Sequence, residues 1–216
     1  MSRVLDKRLS YVHDDLIKMA SMVEKQIFNS VDALKNHDEM LADKIIKNDD
    51  VVDSMQKQLE EKAIKLIAQN QPLATDLRNI FTTTKIVTDL ERMADHAVDI
   101  AKIVLVIGQE PYIKKLSDII LMAEKVQQMI KFSIDTYIDG DVEEAYKICI
   151  MDNEVDHLCK RIFDELMKLS TQNVNTNQMS QLLFVSKYLE RVADHCTNIC
   201  ECTIYLKTGN YVDLNE

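Results

Sequence analysis

Glu91, Asp95 and Asp99 follow one another at intervals of four residues. On a helix this spacing stacks three carboxylates along one side, about 6 Å apart per step. Like charges so placed repel, at a cost of roughly 0.2–0.5 kcal/mol per pair on an isolated helix. Asp49 and Asp53 make a second pair at the same interval. Both patterns return later in the chain. Asp152 and Asp156 repeat the pair, and Glu190 and Asp194 repeat the start of the stripe, with Asn198 in place of its third acid and Glu201 adding a carboxylate. Carboxylates that converge on a cation compensate their mutual repulsion, and hard oxygen donors suit magnesium, calcium, manganese or iron better than a thiolate-seeking metal. The competing reading is a solvated or ion-paired surface, because a chain with 29% charged residues produces such pairs often. Recurrence of both pairs in both halves brings the two readings level.

Other chemistry-bearing residues point less clearly to a site. His96 and His195 project roughly 140° away from Glu91 and Glu190, which suits packing or capping. Arg92 and Arg191 suit pairing with neighbouring acids or with a partner. The five cysteines, Cys149, Cys159, Cys196, Cys200 and Cys202, form no Cys-x-x-Cys pair. An odd number with this spacing fits small apolar residues in a reducing compartment rather than a disulfide scaffold or a zinc site. Di-iron carboxylate bundles use Glu-x-x-His twice, aimed inward. Here Glu154-x-x-His157 occurs once, with Val51 and Ser54 at the corresponding places in the first half. The acids also face away from the apolar seam beside them. With no nucleophile elbow, Gly-rich loop or His-Glu-x-x-His helix, the sequence does not read as an enzyme.

The elements that must position these acids are helices. Among 216 residues there are 3 Gly and 2 Pro, where average usage predicts roughly 26 of the two together. Turn-rich β folds, Rossmann folds and P-loops are excluded on that ground. A net charge of -10 argues against a nucleic-acid partner. The longest apolar run, Ile103 to Ile107, is far short of a membrane span, and Met1 to Leu16 carries charges throughout. The expectation is a cytoplasmic protein that does not itself span a membrane.

Breaks are expected at Asn36-His37-Asp38, where Asp38 offers an N-cap, at Pro72, at Gly108 and Pro111, at Gly140, across the polar tract Ser170–Gln178, and near Gly209. Six segments of roughly 28 to 36 residues remain, each with helical periodicity. In the third, Leu90, Met93, Ala97, Ile100, Val104 and Ile107 form a seam; in the sixth, Leu182, Val185, Leu189, Val192, Cys196, Ile199, Thr203 and Leu206 do the same. An offset of 103 carries the seam of the second segment onto the fifth, Ile45 and Val52 meeting Ile148 and Val155. An offset of 99 carries Leu90-Glu91-Arg92-Met93-Ala94-Asp95-His96 onto Leu189-Glu190-Arg191-Val192-Ala193-Asp194-His195, identical at six of seven positions. The chain therefore reads as all-α, two tandem three-helix bundles related by internal duplication, with domains at 1–108 and 109–216. Val51, Ile64 and Leu105 lie outside the seams and are available to complete the bundle or a dimer contact.

These residues resemble the PhoU family of phosphate-signalling regulators. The resemblance rests on QPLATDLR from Gln71 to Arg78, LERMADHAVDIA from Leu90 to Ala101, LERVADHCTNICEC from Leu189 to Cys202, and the Asp49/Asp53 and Asp152/Asp156 pairs, in the family's order over essentially the whole chain. It implies carboxylate sites on the bundle surface for iron, zinc, manganese, magnesium or other metals, held by Asp49, Asp53, Glu91 and Asp95 in one half and Asp152, Asp156, Glu190 and Asp194 in the other. Asp99 is a further candidate on geometry. It also implies a cytosolic negative regulator of the phosphate-starvation response, a homodimer in contact with the phosphate ABC transporter and a sensor histidine kinase. A metal-storage or redox carboxylate bundle is the alternative. Ala94 and Ala193 stand where the family commonly has Gly, and Asn198 makes the two sites unequal.

Overall fold

The computed structural model describes residues 3–170 and 175–214. Among these residues are eight helices and no strand: α1 (Arg3–Asn36), α2 (Glu39–Lys47), α3 (Asp49–Asn70), α4 (Ala74–Ile107), α5 (Ser117–Asp139), α6 (Val142–Ala145), α7 (Ile148–Leu169) and α8 (Thr176–Thr208). Asp38 caps α2 by accepting from the Leu41 amide, and its repeat mate Asp141 caps α6 by accepting from Glu144. Gly108, Gly140 and Gly209 all follow helices. Gly140 takes the left-handed backbone that only Gly adopts without strain, φ +65°, while its amide satisfies the Thr136 carbonyl. Of the polar tract Ser170–Gln178, residues 171–174 lie outside the described residues; Asn175 beyond them caps α8.

Two of the six expected segments are interrupted. Asn48 separates α2 from α3, its amide shared among the Lys44, Ile45 and Ile46 carbonyls, and Tyr146-Lys147 separates α6 from α7. Asn is a poor helix former that competes for backbone hydrogen bonds, so it ends a helix without any Gly or Pro. Pro72 stands in the break between α3 and α4. It lies two residues before Ala74, after Gln71 in left-handed backbone at φ +43°.

Both expected seams are interior. Leu90, Met93, Ala97, Ile100, Val104 and Ile107 of α4 are buried, as are seven of the eight seam residues of α8, Leu206 being half-buried. Like elements of the two repeats meet. α4 packs along α8 and α1 along α5, while α1 lies on α4 and α5 on α8, so the four long helices close on one another. Gln127 donates to Glu24, its own mate at the 103 offset, across 3.2 Å where α1 and α5 meet. α2 and α3 cover one flank against α4, α6 and α7 the other against α8, and one continuous apolar core runs through both repeats. Val51, Ile64 and Leu105 stay exposed and do not complete the bundle. Between the repeats, the buried Gln178 accepts from the Ile113 amide at 2.6 Å and donates to the Pro111 carbonyl at 3.1 Å, tying the linker to α8.

Candidate metal centre

Asp49 opens α3 and Asp53 follows one turn later; α4, packed alongside, supplies Asp95. One carboxylate oxygen from each lies within 4.8 Å of the other two. Asp49 Oδ1 is shut away from solvent and has no hydrogen-bond partner. Burial, and then the Asp53 charge, hold the Asp49 carboxyl above its ordinary range, with Lys102 pulling the other way. Burial and the charges of Asp49 and Asp53 do the same to Asp95. Glu91 stands beside this set, its carboxyl raised by burial and by Asp95 and Asp53, although it is not one of the three closest groups. Asp99 points its charge at Lys102, 3.0 Å away. Of the five acids expected in the first repeat, three converge, one borders them and one is ion-paired.

The second group differs. Asp152 Oδ1 is again buried without a hydrogen bond, and burial with the Asp156, Asp194 and Glu190 charges pushes its carboxyl up to about 6. Burial and Glu190 raise Asp156 and Asp194, and Lys187 opposes both shifts. Lys187 is ion-paired to Glu190 one turn along α8. Among the described residues, Asp152, Asp156, Glu190 and Asp194 do not reach the mutual spacing of the first-repeat triad. Thr88 stands where the offset of 99 would put a mate for Lys187, so the first triad has no such cation.

The PhoU domain family model matches residues 16–104 and 119–203, once in each repeat. The chain belongs to the PhoU family. It is 50% identical over 216 residues to the phosphate-specific transport system accessory protein PhoU homolog of Clostridium acetobutylicum, covering 99% of each chain. With homolog 2 of Thermotoga maritima it shares 30% identity over 97% of this chain and 89% of that one. The crystal structure of the phosphate transport system regulatory protein PhoU from Streptococcus pneumoniae superposes with a TM-score of 0.91 at 26% identity, over 97% of this chain and 99% of that one. PhoU from Pseudomonas aeruginosa gives 0.90 at 29% identity, over 95% and 99%.

The PhoU-family motif also supplies a polar junction between the repeats. Asp89 on α4, 8% exposed, accepts hydrogen bonds from His195 Nδ1 at 2.8 Å and Asn198 Nδ2 at 3.2 Å, both on α8. The mate of Asp89 is Tyr188, which stacks on His96 with ring centroids 5.4 Å apart; His96 in turn lies 6.0 Å from His195. Burial, with the nearby His195 and Arg191, pushes His96 down to about 4. Both histidines thus pack, as their angle from the acids implies. Arg92 and Arg191 are exposed and make no ion pair among the described residues. The sequence signal for Asp89 was its mismatch with Tyr188 next to an otherwise matching motif. The cysteines are free thiols; burial raises Cys200 and Cys202 to about 12, which leaves them poor nucleophiles.

Proposed function

We propose that this PhoU-family protein is an accessory regulator of phosphate uptake, an adaptor that holds the phosphate-starvation response off when phosphate is plentiful. The observation that carries this reading is end-to-end likeness, at 50% identity, to a protein named for the phosphate-specific transport system. Its partners on this reading are the phosphate ABC transporter and a sensor histidine kinase, met in the cytoplasm by a homodimer. A net charge of -10 and acids arrayed on long helices favour orientation and rapid encounter with basic surfaces. No helix among the described residues is long and apolar enough to cross a membrane.

A metal belongs to the same reading, and the first-repeat acids fit one. Their oxygens lie close together, and one is buried with nothing to accept from, an arrangement that costs free energy until positive charge arrives. Asp49, Asp53 and Asp95 would hold the ion, with Glu91 and Asp99 at its edge. The donor set is all oxygen, which favours iron, manganese or magnesium, with zinc less suited. Bound, the ion supplies positive charge that offsets the repulsion between α3 and α4. The chain's own part is to keep those helices in contact and to set how acidic a face partners meet.

Deleting the gene tests the adaptor role: phosphate-responsive genes should stay on in high phosphate, and unchanged expression and uptake would refute it. Elemental analysis of protein purified without chelator, beside the Asp95→Asn/Asp194→Asn variant, tests the metal. Equal metal content in the two proteins would rule the carboxylate sites out.

A further inference from the structure

A cleft of about 410 Å³ opens between α1 and the junction of α2 with α3. Five polar side chains line it: Lys25, Gln26 and Asn29 from α1, Lys44 from α2, and Asn48 at the junction. None of the five makes a hydrogen bond or ion pair to another described residue. Gln26 Oε1 is also closed off from solvent, so its acceptor capacity is wholly unused. Leaving such a group unpaired costs the fold stability. Met22, Leu41, Ile45 and Val51 supply apolar walls.

The second repeat is an internal control for what this part of the fold requires. At the offset of 103, Gln26, Asn29 and Asn48 become Met129, Phe132 and Met151, the first fully buried and the others packed on the core. Lys44 becomes Lys147, ion-paired to Glu144 in the place of Leu41. Met22 and Val51 become Lys125 and Glu154, which pair with each other at 2.6 Å. Where the second repeat fills the space with apolar side chains and neutralises its charges, the first leaves three carboxamides and two ammonium groups uncommitted. Folding alone does not account for that, because the same backbone arrangement is served by methionine and phenylalanine.

We propose that this cleft binds a nucleotide. Lys25 and Lys44 supply the charge for its phosphates, and neither is spent on a carboxylate of the protein. Each carboxamide offers both a donor and an acceptor, the combination that pairs with the edge of a purine, as Asn and Gln do with adenine in nucleic-acid recognition. The apolar walls take the faces of the base, and the volume lies within the range usual for small-molecule sites.

Titration calorimetry with ADP, in buffer containing a chelator so that the carboxylates hold no metal, tests the assignment on the full chain. ADP should bind the parent protein. Gln26→Met/Asn29→Phe/Asn48→Met, which rebuilds the second repeat's filling, should abolish binding while retaining the helical circular dichroism and melting midpoint. Lys25→Ala/Lys44→Ala, confined to exposed side chains, should weaken binding at least tenfold and keeps the test decisive if the triple variant misfolds. No binding at millimolar ADP, undiminished binding by a folded variant, or equal affinity for inorganic phosphate alone would overturn the proposal.

Discussion

The two repeats carry nearly the same seven-residue motif on α4 and α8, yet their acids sit in different electrostatic surroundings. In the second, Lys187 reaches Glu190 from one turn earlier and lowers the cost of charging Asp156 and Asp194. In the first, Thr88 occupies that place and the nearest ammonium, Lys102, is committed to Asp99 at the edge. Asp49, Asp53 and Asp95 are left close together, with Lys102 opposing the shifts of Asp49 and Asp95 only from that edge. A motif on a helix sets where acids project. The residue one turn away sets which of those acids has an ammonium beside it: Glu190 in the second repeat, Asp99 in the first.

The largest expected effect lies where the repeats differ at their shared interface. Asp89→Ala strips the hydrogen bonds from His195 and Asn198 and should destabilise the protein by about 2–4 kcal/mol, read as a shift of the urea midpoint at constant slope. Tyr188→Phe, at the mate of Asp89, keeps the stacked ring on His96 and should cost under about 1 kcal/mol. Equal losses would mean that the junction is symmetric after all.

Metal binding should break the comparison next. Asp53→Asn/Asp95→Asn removes two of three converging charges and should weaken first-repeat binding roughly 100-fold, about 2.7 kcal/mol, by calorimetry. The same change at Asp156 and Asp194 should do less. Lys187→Thr, which gives the second repeat the residue of the first, should strengthen its metal binding about tenfold by freeing Glu190. If Lys187→Thr leaves the affinity unchanged, the ion pair is not what separates the two sites.

These contrasts also mark how much was legible in the sequence. The seams were, because apolar residues recurring every three or four positions line up as a single stripe on a helix, and every α4 seam residue is buried. The Asp38 cap was legible because it depends only on residues within one turn of it. The break at Asn48 was not, since it rests on backbone hydrogen bonds rather than on Gly or Pro. Periodicity names the apolar face of a helix but not its neighbour, so the packing of α4 on α8 and of α1 on α5 had to come from the structure. The carboxylate pairs were legible as pairs. Which of them converge depends on that unseen packing, and the mismatch of Asp89 with Tyr188 marked a difference between the repeats without naming its partners on α8.

The smallest effect is a pH dependence that two residues, Asp152 in the second repeat and His96 in the first, impose with opposite signs on metal-free protein. Asp152 titrates at about 6 in the fold, against 3.8 for the ordinary group. Between those values the native state holds a proton that the unfolded chain has released, so this contribution is fully present below 3.8 and is lost as pH rises through about 6. His96 runs the other way, titrating at about 4 against an ordinary 6.5. There the unfolded chain binds the extra proton, and stability rises with pH across that window. Asp152→Asn should therefore raise metal-free stability at pH 7 and steepen the gain between pH 4 and 6, whereas His96→Phe should flatten it. Urea midpoints at pH 4.5, 5.5 and 7 read both. An Asp152→Asn protein less stable than its parent at pH 7 without metal would show that this carboxylate already has a partner, and that the second repeat needs no cation.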